Sequence, residues 1–265
     1  MTCAICQSTA NSHCTAQVLG KYTVQYYQCN RCQFIFTEPP YWLREAHESP
    51  ITRLDLGLVQ RNETMAELLQ LVIRVWFDRK AQFVDYGGGY GMLVRMMRDR
   101  GFDFYRQDQY CSNLFAEAFD VTDVPPFRAN LLTAFEVIEH VADPVAELEK
   151  MLSVSDNILL STIVQPSPDV TPASWWYFVP DTGQHVSIFS RSSLQILAKQ
   201  FDLCYCWNKQ NVHLLSRKPV SKTFFQFITY PRVTKLLNVL SKHPPSLLQA
   251  DFNQLARQTS NQQVQ

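Results

Sequence analysis

The stretch that most constrains this chain is "AQFVDYGGGYGMLVRMMRDRG", residues 81–101. A short apolar run typical of a buried strand leads into four glycines within five residues, and an amphipathic segment closed by Gly101 follows. A strand, a glycine turn and a helix N-terminus together form a site where backbone can approach a nucleotide-like ligand. The sequence therefore predicts either a ligand site at a βα turn or, as the plainer alternative, a glycine-rich turn without a ligand.

The glycine spacing separates two classes of cofactor. The dinucleotide fingerprint needs a small third residue, but Met92 stands at that place. Counted from Asp85, the stretch resembles the D-x-G-x-G-x-G pattern of class I S-adenosylmethionine (SAM) methyltransferases. That resemblance implies that the turn approaches the methionine part of SAM, because glycine permits close backbone approach. The cofactor-binding residues implied here are Asp85, Gly87, Gly88, Gly89 and Gly91.

A second acidic residue follows the next predicted strand. "FDFYRQD" reads as a strand that ends at Asp108, and Gln109 comes directly after it. An acidic side chain at this place can accept hydrogen bonds from both ribose hydroxyls of a nucleoside. We therefore assign Asp108 and Gln109 to the cofactor site, with a solvated strand-end aspartate as the alternative.

The segment "TAFEVIEHVADP", residues 133–144, ends the next central strand. It resembles the E-V-[IL]-E-H-[LV]-x-D-P motif of small-molecule methyltransferases related to ubiquinone-biosynthesis enzymes. The resemblance implies that Phe135 and Glu136 contact SAM. His140 is expected to begin the following helix beside the SAM pocket, whereas Asp143 and Pro144 fit a helix start.

A third block, "WWYFVPDTGQHVSIFSRSSL", resembles a methyltransferase pattern of the form WWYY-x-P-x-x-GQH-[IV]-x-F-[YF]-S. Its His185 is the first candidate for a general base or acceptor ligand, and His140 is the second, because the reference pKa of histidine suits proton transfer near neutral pH. A structural role for His185 stays open. The aromatic residues 175–177 either form an apolar wall for an acceptor or pack between loops.

The element "DLGLVQRN", residues 55–62, matches a D-x-G-x-x-x-RN element of the same group. It precedes a segment with one apolar face at helical spacing, residues 64–79. We expect residues 50–64 to cover bound SAM, with Arg61 or Asn62 near the methionine carboxylate. In the alternative, Asn62 only caps the helix and Arg61 is solvated.

Two C-x-x-C pairs lie near the N-terminus, and 22 residues separate them. Such pairs supply four thiolates for one tetrahedral, structural zinc ion, with unligated buried thiols as the alternative. The flanking "YYQCNRCQFIFTEPP" resembles the zinc-binding N-terminal module of some sugar methyltransferases. The predicted metal ligands are Cys3, Cys6, Cys29 and Cys32.

Strand and helix signals alternate from residue 81 to 218 and end in a hairpin. This order predicts a doubly wound, mainly parallel α/β sheet of seven strands, one of them in the weakly patterned residues 112–128. Four parts are expected: a zinc-ribbon-like module, a helical lid or linker, the SAM-binding domain, and a helical extension whose polar tail from Arg257 is disordered. Their bounds are 1–40, 41–80, 81–218 and 219–265.

Composition limits the partners. The chain has 24 basic and 24 acidic residues, so its net charge of zero gives no electrostatic case for nucleic acid or anionic membrane. No apolar run is long enough to span a bilayer, and no secretory signal is seen, which together with the paired cysteines favours the cytoplasm.

The sequence favours a SAM-dependent methyltransferase acting on a small molecule, with a sugar or sugar nucleotide as the candidate acceptor class. A protein or RNA acceptor, or a non-catalytic binding module, are the alternatives.

Overall fold

The computed structural model describes residues 1–48 and 55–262, with side chains to residue 257. Its strands are β1 (Ala10–Val18), β2 (Tyr22–Cys29), β3 (Ile35–Thr37), β4 (Gln82–Tyr86), β5 (Asp103–Gln107), β6 (Leu131–Phe135), β7 (Asn157–Ser161), β8 (Ser187–Ile188), β9 (Cys204–Trp207) and β10 (Val212–Ser216). Its α-helices are α1 (Leu43–Ala46), α2 (Leu58–Trp76), α3 (Met92–Asp99), α4 (Pro144–Val154), α5 (Arg191–Gln200), α6 (Lys222–Ile228), α7 (Pro231–Leu240) and α8 (Leu248–Gln262).

The chain divides into two compact units. The first contains Met1–Asp55 and Ala134–Gln226, and the second contains Leu56–Thr133 and Phe227–Gln265. A mixed six-stranded sheet has the order β5-β4-β6-β7-β10-β9, and β6 contributes residues to both units. A smaller antiparallel sheet of the first unit has the order β1-β2-β3-β8.

In the second unit, β4 pairs in parallel with β5 and with the first half of β6. Helix α2 buries Met65, Leu69 and Ile73, whose spacing of four residues places them on one face. Helix α3 begins at the glycine turn and ends before Gly101, whose φ of +81° gives the left-handed backbone that commonly ends helices. These elements position the glycine turn at the carboxyl end of β4.

In the first unit, β7 and β10 are antiparallel, and β10 forms the predicted hairpin with β9. The Asp143 carboxylate caps α4 by accepting from the backbone of Val145 and Ala146, as the sequence predicted. Ser190 caps α5 in a reciprocal arrangement with Ser193. Both helices therefore begin where their capping residues stand in the sequence.

Three sequence expectations about the elements are wrong. Within the described residues the large sheet has six strands rather than seven, because residues 112–128 form a 3₁₀ turn, Val121–Asp123, with one isolated bridge to β5. Asn62 does not cap α2: Gly57 is the N-cap, and Asn62 lies inside the helix and donates to the Leu58 carbonyl. Residues 257–262 are not disordered but continue α8.

The C-terminal extension packs through a buried ion pair in the second unit. The Arg98 guanidinium donates to both carboxylate oxygens of Asp251 at 2.9 and 2.7 Å. Arg98 is 5% exposed and Asp251 is 3% exposed. Asp251 also pairs with Arg95 at 2.9 Å, so two arginines of α3 hold α8 against that helix. Among the described residues no helix is both long and apolar enough to cross a membrane.

Candidate functional site

The glycine turn joins β4 to α3 with three glycines in the left-handed region. The φ angles are +66° at Gly87, +54° at Gly89 and +85° at Gly91. A Cβ at Gly91 would lie 2.6 Å from the Asn113 side chain, whereas a Cβ at Gly89 would meet nothing within 4 Å. Backbone conformation therefore requires Gly89, and the open side of the turn leaves room for a ligand.

Asp85 lies behind this turn. Its carboxylate is buried and accepts a 2.6 Å hydrogen bond from the Thr133 hydroxyl. Burial raises the pKa of Asp85 to about 7, although the Thr133 bond lowers it. A Cβ at Gly88 would lie 2.8 Å from the Asp85 carboxylate. The Asp85 carboxylate therefore packs closely against the turn at Gly88, where only glycine fits.

Asp108 follows β5 and binds the turn directly. One carboxylate oxygen accepts from the Gly89 backbone at 2.9 Å, and the other accepts from Tyr110 and Cys111 at 2.7 and 2.8 Å. Asp108 is half-buried, and the neighbouring Gln109 is exposed. Both residues stand at the carboxyl end of β5, the place that the sequence predicted for them.

Arg106 was not singled out from the sequence. It lies in β5, is 5% exposed, and pairs with Asp120 at 2.6 Å. Its guanidinium also donates to the backbone carbonyls of Gly89 and Cys111. The sequence did contain a signal for this role, because an arginine within a predicted buried strand needs hydrogen-bond acceptors. Arg106 thus connects the glycine turn to the loop after β5.

The N-terminal segment proposed to cover SAM is only partly described, since residues 49–54 lie outside the described residues. Arg61 and Asn62 both lie in the first turns of α2 and are half-buried. The guanidinium of Arg61 would lie 3.9 Å from a Cβ at Gly57. Their approach to a methionine carboxylate stays a prediction.

In the first unit, Glu136 directly follows β6 with a φ of +54°, a conformation uncommon outside glycine. Ser161, the last residue of β7, holds it twice. The Glu136 backbone donates to the Ser161 hydroxyl at 2.9 Å, and that hydroxyl donates to the Glu136 carboxylate at 2.5 Å. Strained residues that are held in this way concentrate at functional sites. Phe135, the last residue of β6, is half-buried beside it.

Glu139 and Tyr177 form a buried pair that the sequence did not single out as site residues. The Glu139 side chain is inaccessible to solvent and accepts from the Tyr177 hydroxyl. Within the described part of the chain, no hydrogen bond to its second oxygen, Oε2, is formed. Burial, reinforced by the neighbouring Glu136 charge, raises the pKa of Glu139 well above its usual range. The Tyr177 hydroxyl also accepts from the Ile163 backbone at 3.1 Å.

His140 and His185 stand next to each other in the first unit, with ring centroids 5.1 Å apart. The His47 ring also lies near His140, with ring centroids 5.9 Å apart and planes tilted by 42°. His140 does not begin α4, as the sequence suggested. It ends a 3₁₀ turn, Ile138–His140, because the cap and proline that start α4 stand at residues 143 and 144. Burial lowers the pKa of His140 well below its usual range, and the two neighbouring rings lower it further.

The hydrogen bond of His185 determines which ring nitrogen carries the proton. Its Nδ1 lies 2.5 Å from the Tyr177 carbonyl oxygen, which can only accept. Nδ1 therefore carries the proton, and Nε2 keeps its lone pair. Burial lowers the pKa of His185 to about 4, so the ring is neutral near pH 7.

The aromatic block around Tyr177 divides by burial. Tyr177 and Phe178 are each 1% exposed and belong to the core of the first unit, against which Trp175 packs. Trp176 is 68% exposed. Most of the block therefore packs between loops, and only Trp176 presents an open aromatic surface.

The four paired cysteines converge as the sequence predicted. Their sulfur atoms all lie within 4.8 Å of one another, with Cys3 and Cys32 at 3.6 Å and Cys6 and Cys29 at 3.3 Å. Four sulfurs at tetrahedral Zn–S distances stand about 3.8 Å apart, so the cluster has dimensions that suit a metal ion.

The same backbone turn occurs at both C-x-x-C pairs. Gln7 donates to the Cys3 carbonyl at 3.0 Å, and Gln33 donates to the Cys29 carbonyl at 3.1 Å. Gln7 and Gln33 have φ angles of +56° and +60°. Each cysteine pair therefore lies in a backbone turn of the same kind.

The fold and the glycine turn define a class I methyltransferase domain. A family model described as a methyltransferase domain matches residues 59–205, more than half of the chain, so the chain belongs to this family. No curated protein matches the sequence.

Three of the solved structures that resemble the chain at low identity are described as methyltransferases or as a member of a methyltransferase family. The mitomycin 7-O-methyltransferase MmcR is 16% identical with a TM-score of 0.43, over 66% of this chain and 59% of its own length. The plantazolicin methyltransferase BpumL, in complex with S-adenosylhomocysteine (SAH), is 12% identical with a TM-score of 0.45, over 76% and 91%. An O-methyltransferase family protein from Burkholderia thailandensis is 12% identical with a TM-score of 0.41, over 60% and 59%.

Proposed function

We propose that the protein is a SAM-dependent methyltransferase that acts on a small molecule. The observation that carries the proposal is the glycine turn of the second unit, with its open face at Gly89 and with Asp108 at the end of the neighbouring strand. Family membership supports the same cofactor. SAM supplies a methyl group activated on a sulfonium, so the protein has to hold and orient the reactants.

In the second unit, the turn residues 87–91 are proposed to hold the methionine part of SAM, and Asp108 its ribose. The Asp108 carboxylate already accepts three backbone hydrogen bonds, but each oxygen can accept more than one. Gln109 is proposed as a neighbour of the ribose. For Phe135, Glu136, Arg61 and Asn62 the proposal rests on their places in the sequence motifs.

In the first unit, His185 is proposed as the general base for a hydroxyl or carbon-acid acceptor. The support is its hydrogen bond to the Tyr177 carbonyl, which leaves Nε2 as an acceptor on a neutral ring. With its pKa lowered to about 4, the ring is neutral and free to accept a proton near pH 7, although the same shift makes it a weaker base than an ordinary histidine. His140 is the second candidate.

We also propose one structural zinc ion, held by the thiolates of Cys3, Cys6, Cys29 and Cys32. Four protein ligands fill a tetrahedral site, so the metal would contribute folding energy and no open position for chemistry. The separations of the sulfur atoms and the paired turns support this assignment.

A sugar or sugar nucleotide is proposed as the acceptor class. The support is limited to the resemblance of the N-terminal cysteine block to the zinc module of sugar methyltransferases. Sites built to hydrogen-bond hydroxyl groups reject analogues that lack them by large factors. An acceptor panel should therefore compare nucleotide sugars with deoxy analogues and with phenols.

The deciding experiment is ligand binding by the purified chain. Thermal shift and calorimetry with SAM, SAH and NAD should show stabilisation by the first two and none by NAD, because a ligand that binds only the folded state raises its stability. Stabilisation by NAD alone, or by none of the three, would overturn the proposed cofactor.

A further inference from the structure

Helix α7 of the second unit is built with its polar residues inward. Thr234 and Asn238 are 5% and 7% exposed. The Thr234 hydroxyl donates to the Ile228 carbonyl at 2.6 Å, and the Asn238 amide donates to the Glu67 carbonyl of α2 at 2.8 Å. The Arg74 guanidinium donates to the Asn238 side chain. These hydrogen bonds fix the orientation of α7. A rotation of the helix that buried its aliphatic residues would leave the polar groups of Thr234 and Asn238 without these partners.

The outward face of the same helix is apolar. Leu236, Val239 and Leu240 are 58%, 76% and 73% exposed, and Tyr230 just before the helix is 54% exposed. Single exposed aliphatic residues are common, but three on one face of a ten-residue helix form a continuous patch. We call Tyr230, Leu236, Val239 and Leu240 the α7 patch.

Positive charge accompanies the α7 patch. Arg232 and Lys235 lie on the exposed side of α7, and Lys242 follows its end. None of the three forms an ion pair within the part of the chain that the structure describes. Residues 217–250 contain six lysines and arginines and no acidic residue, although the whole chain is neutral. Glu67 of α2 is an exposed acidic residue whose backbone carbonyl accepts the Asn238 hydrogen bond. It therefore lies near the buried side of α7, not on its outward face.

From this combination we propose that the α7 patch docks on an anionic lipid surface. A helix that presents aliphatic and aromatic side chains between lysines and arginines can lie in the membrane interface, with its apolar face in the headgroup boundary. Each basic residue adds attraction to anionic headgroups. A second copy of the chain is the less suitable occupant, because a symmetric contact through this face would bring its cations together without acidic partners. The balanced charge of the whole chain conceals this local excess of positive charge.

The test is co-sedimentation of the full chain with vesicles at low salt, using phosphatidylcholine alone and phosphatidylcholine with about one-third phosphatidylglycerol. We expect binding to the anionic vesicles and little to the neutral ones. Val239→Asn with Leu240→Asn, and separately Arg232→Glu with Lys235→Glu, should each reduce the partition coefficient at least about tenfold.

Two matched control variants test whether the loss of vesicle binding is specific to α7. Arg79→Glu with Lys80→Glu makes the same charge change at exposed residues outside α7, and Leu248→Asn with Phe252→Asn removes exposed apolar residues of α8. Both controls should bind like wild type, and all variants should keep the wild-type thermal midpoint. No binding to anionic vesicles, equal binding to both vesicle types, or equal losses in the controls would overturn the proposal. So would a wild-type dimer, measured by sedimentation velocity, that the Val239 and Leu240 changes dissociate.

Discussion

The Tyr177 hydroxyl donates a 2.5 Å hydrogen bond to Oε1 of Glu139, a carboxyl group that solvent cannot reach. The same hydroxyl accepts from the Ile163 backbone, and the Tyr177 carbonyl accepts from Nδ1 of His185. One tyrosine therefore connects a buried acid, the chain after β7 and the candidate base. Loss of its hydroxyl should affect Glu139 and Ile163, whereas the bond to His185 comes from the backbone and does not depend on the hydroxyl.

Tyr177→Phe should destabilise the protein by about 2–4 kcal/mol, because it leaves buried Glu139 and the Ile163 N–H without a partner. Glu139→Gln keeps an acceptor for the tyrosine, so it should cost less than about 1.5 kcal/mol. Urea unfolding measures both changes, with exposed Tyr41→Phe as the control. Equal losses in Tyr177→Phe and Glu139→Gln would mean that Glu139 is held as a charged group rather than a neutral one.

Asp108→Ala should weaken SAM binding by about 1.5–3 kcal/mol if the carboxylate bonds the ribose. Part of this loss can come from the loop, since Asp108 also holds Tyr110 and Cys111. Asp78→Ala is the matched control, because exposed Asp78 likewise accepts from a backbone N–H two residues ahead, at Lys80. Calorimetry that gives unchanged SAM affinity in Asp108→Ala would remove Asp108 from the cofactor site.

Protein purified without chelator should contain about one zinc ion per chain. Cys29→Ser should lose the metal and unfold at lower temperature, whereas Cys14→Ser, outside the cluster, should keep it. Metal analysis by mass spectrometry measures the content directly. A native chain that is well folded and free of metal would show that the four thiols pack without a ligand.

The sequence predicted the main βα units because their signals are local. The glycine turn, the cap at Asp143 and the hairpin of β9 and β10 each depend on residues close in the chain. The convergence of the four cysteines could be predicted because paired C-x-x-C spacing is typical of a single four-thiolate site. Membership of the methyltransferase-domain family is confirmed by the match over residues 59–205.

The errors arise where tertiary contacts decide. Asn62 looks like a cap, but α2 starts one turn earlier at Gly57. The polar residues after Arg257 continue α8, which the buried pair of Arg98 and Asp251 already anchors. Tyr177 could not be distinguished from its aromatic neighbours, since only the fold shows which ring meets Glu139.

His213 should make stability depend on pH. It is fully buried, donates from Nε2 to the Thr162 carbonyl and accepts from the Tyr205 hydroxyl. Burial lowers its pKa to about 4 from the ordinary 6.5. The unfolded chain therefore binds the proton first, and His213 should withdraw up to about 3 kcal/mol of stability as pH falls from about 6.5 to 4.

The pKa of Asp85 is raised, so its titration changes stability in the opposite direction over part of the same pH range. The contribution of His213 therefore has to be measured as a difference in stability between wild type and a variant. Glutamine at position 213 keeps one donor and one acceptor but cannot take up the proton. The stability of wild type relative to His213→Gln should be greatest above about pH 6.5 and shrink toward pH 4. Exposed His243→Gln is the control. A difference that stays constant with pH would show that His213 does not titrate in this range.

His185 provides the sharpest test of the proposed chemistry. Its Nδ1 proton is held by the Tyr177 carbonyl, so ¹⁵N NMR should report the Nδ1–H tautomer, neutral down to about pH 4. His185→Ala should keep SAM affinity within about threefold, because the proposed cofactor contacts do not include it. Methyl transfer, followed by release of SAH with an acceptor found in the panel, should fall at least about a hundredfold.

The rings of the two candidate bases lie only 5.1 Å apart, so His140→Ala has to be measured in parallel to distinguish them. If His185→Ala loses SAM binding, the histidine belongs to the cofactor site. If it keeps near-normal turnover while His140→Ala does not, His140 is the base and His185 is structural. Protonation of Nε2 rather than Nδ1 in the spectrum would contradict the tautomer on which the assignment of His185 depends, because the lone pair would then face the Tyr177 carbonyl.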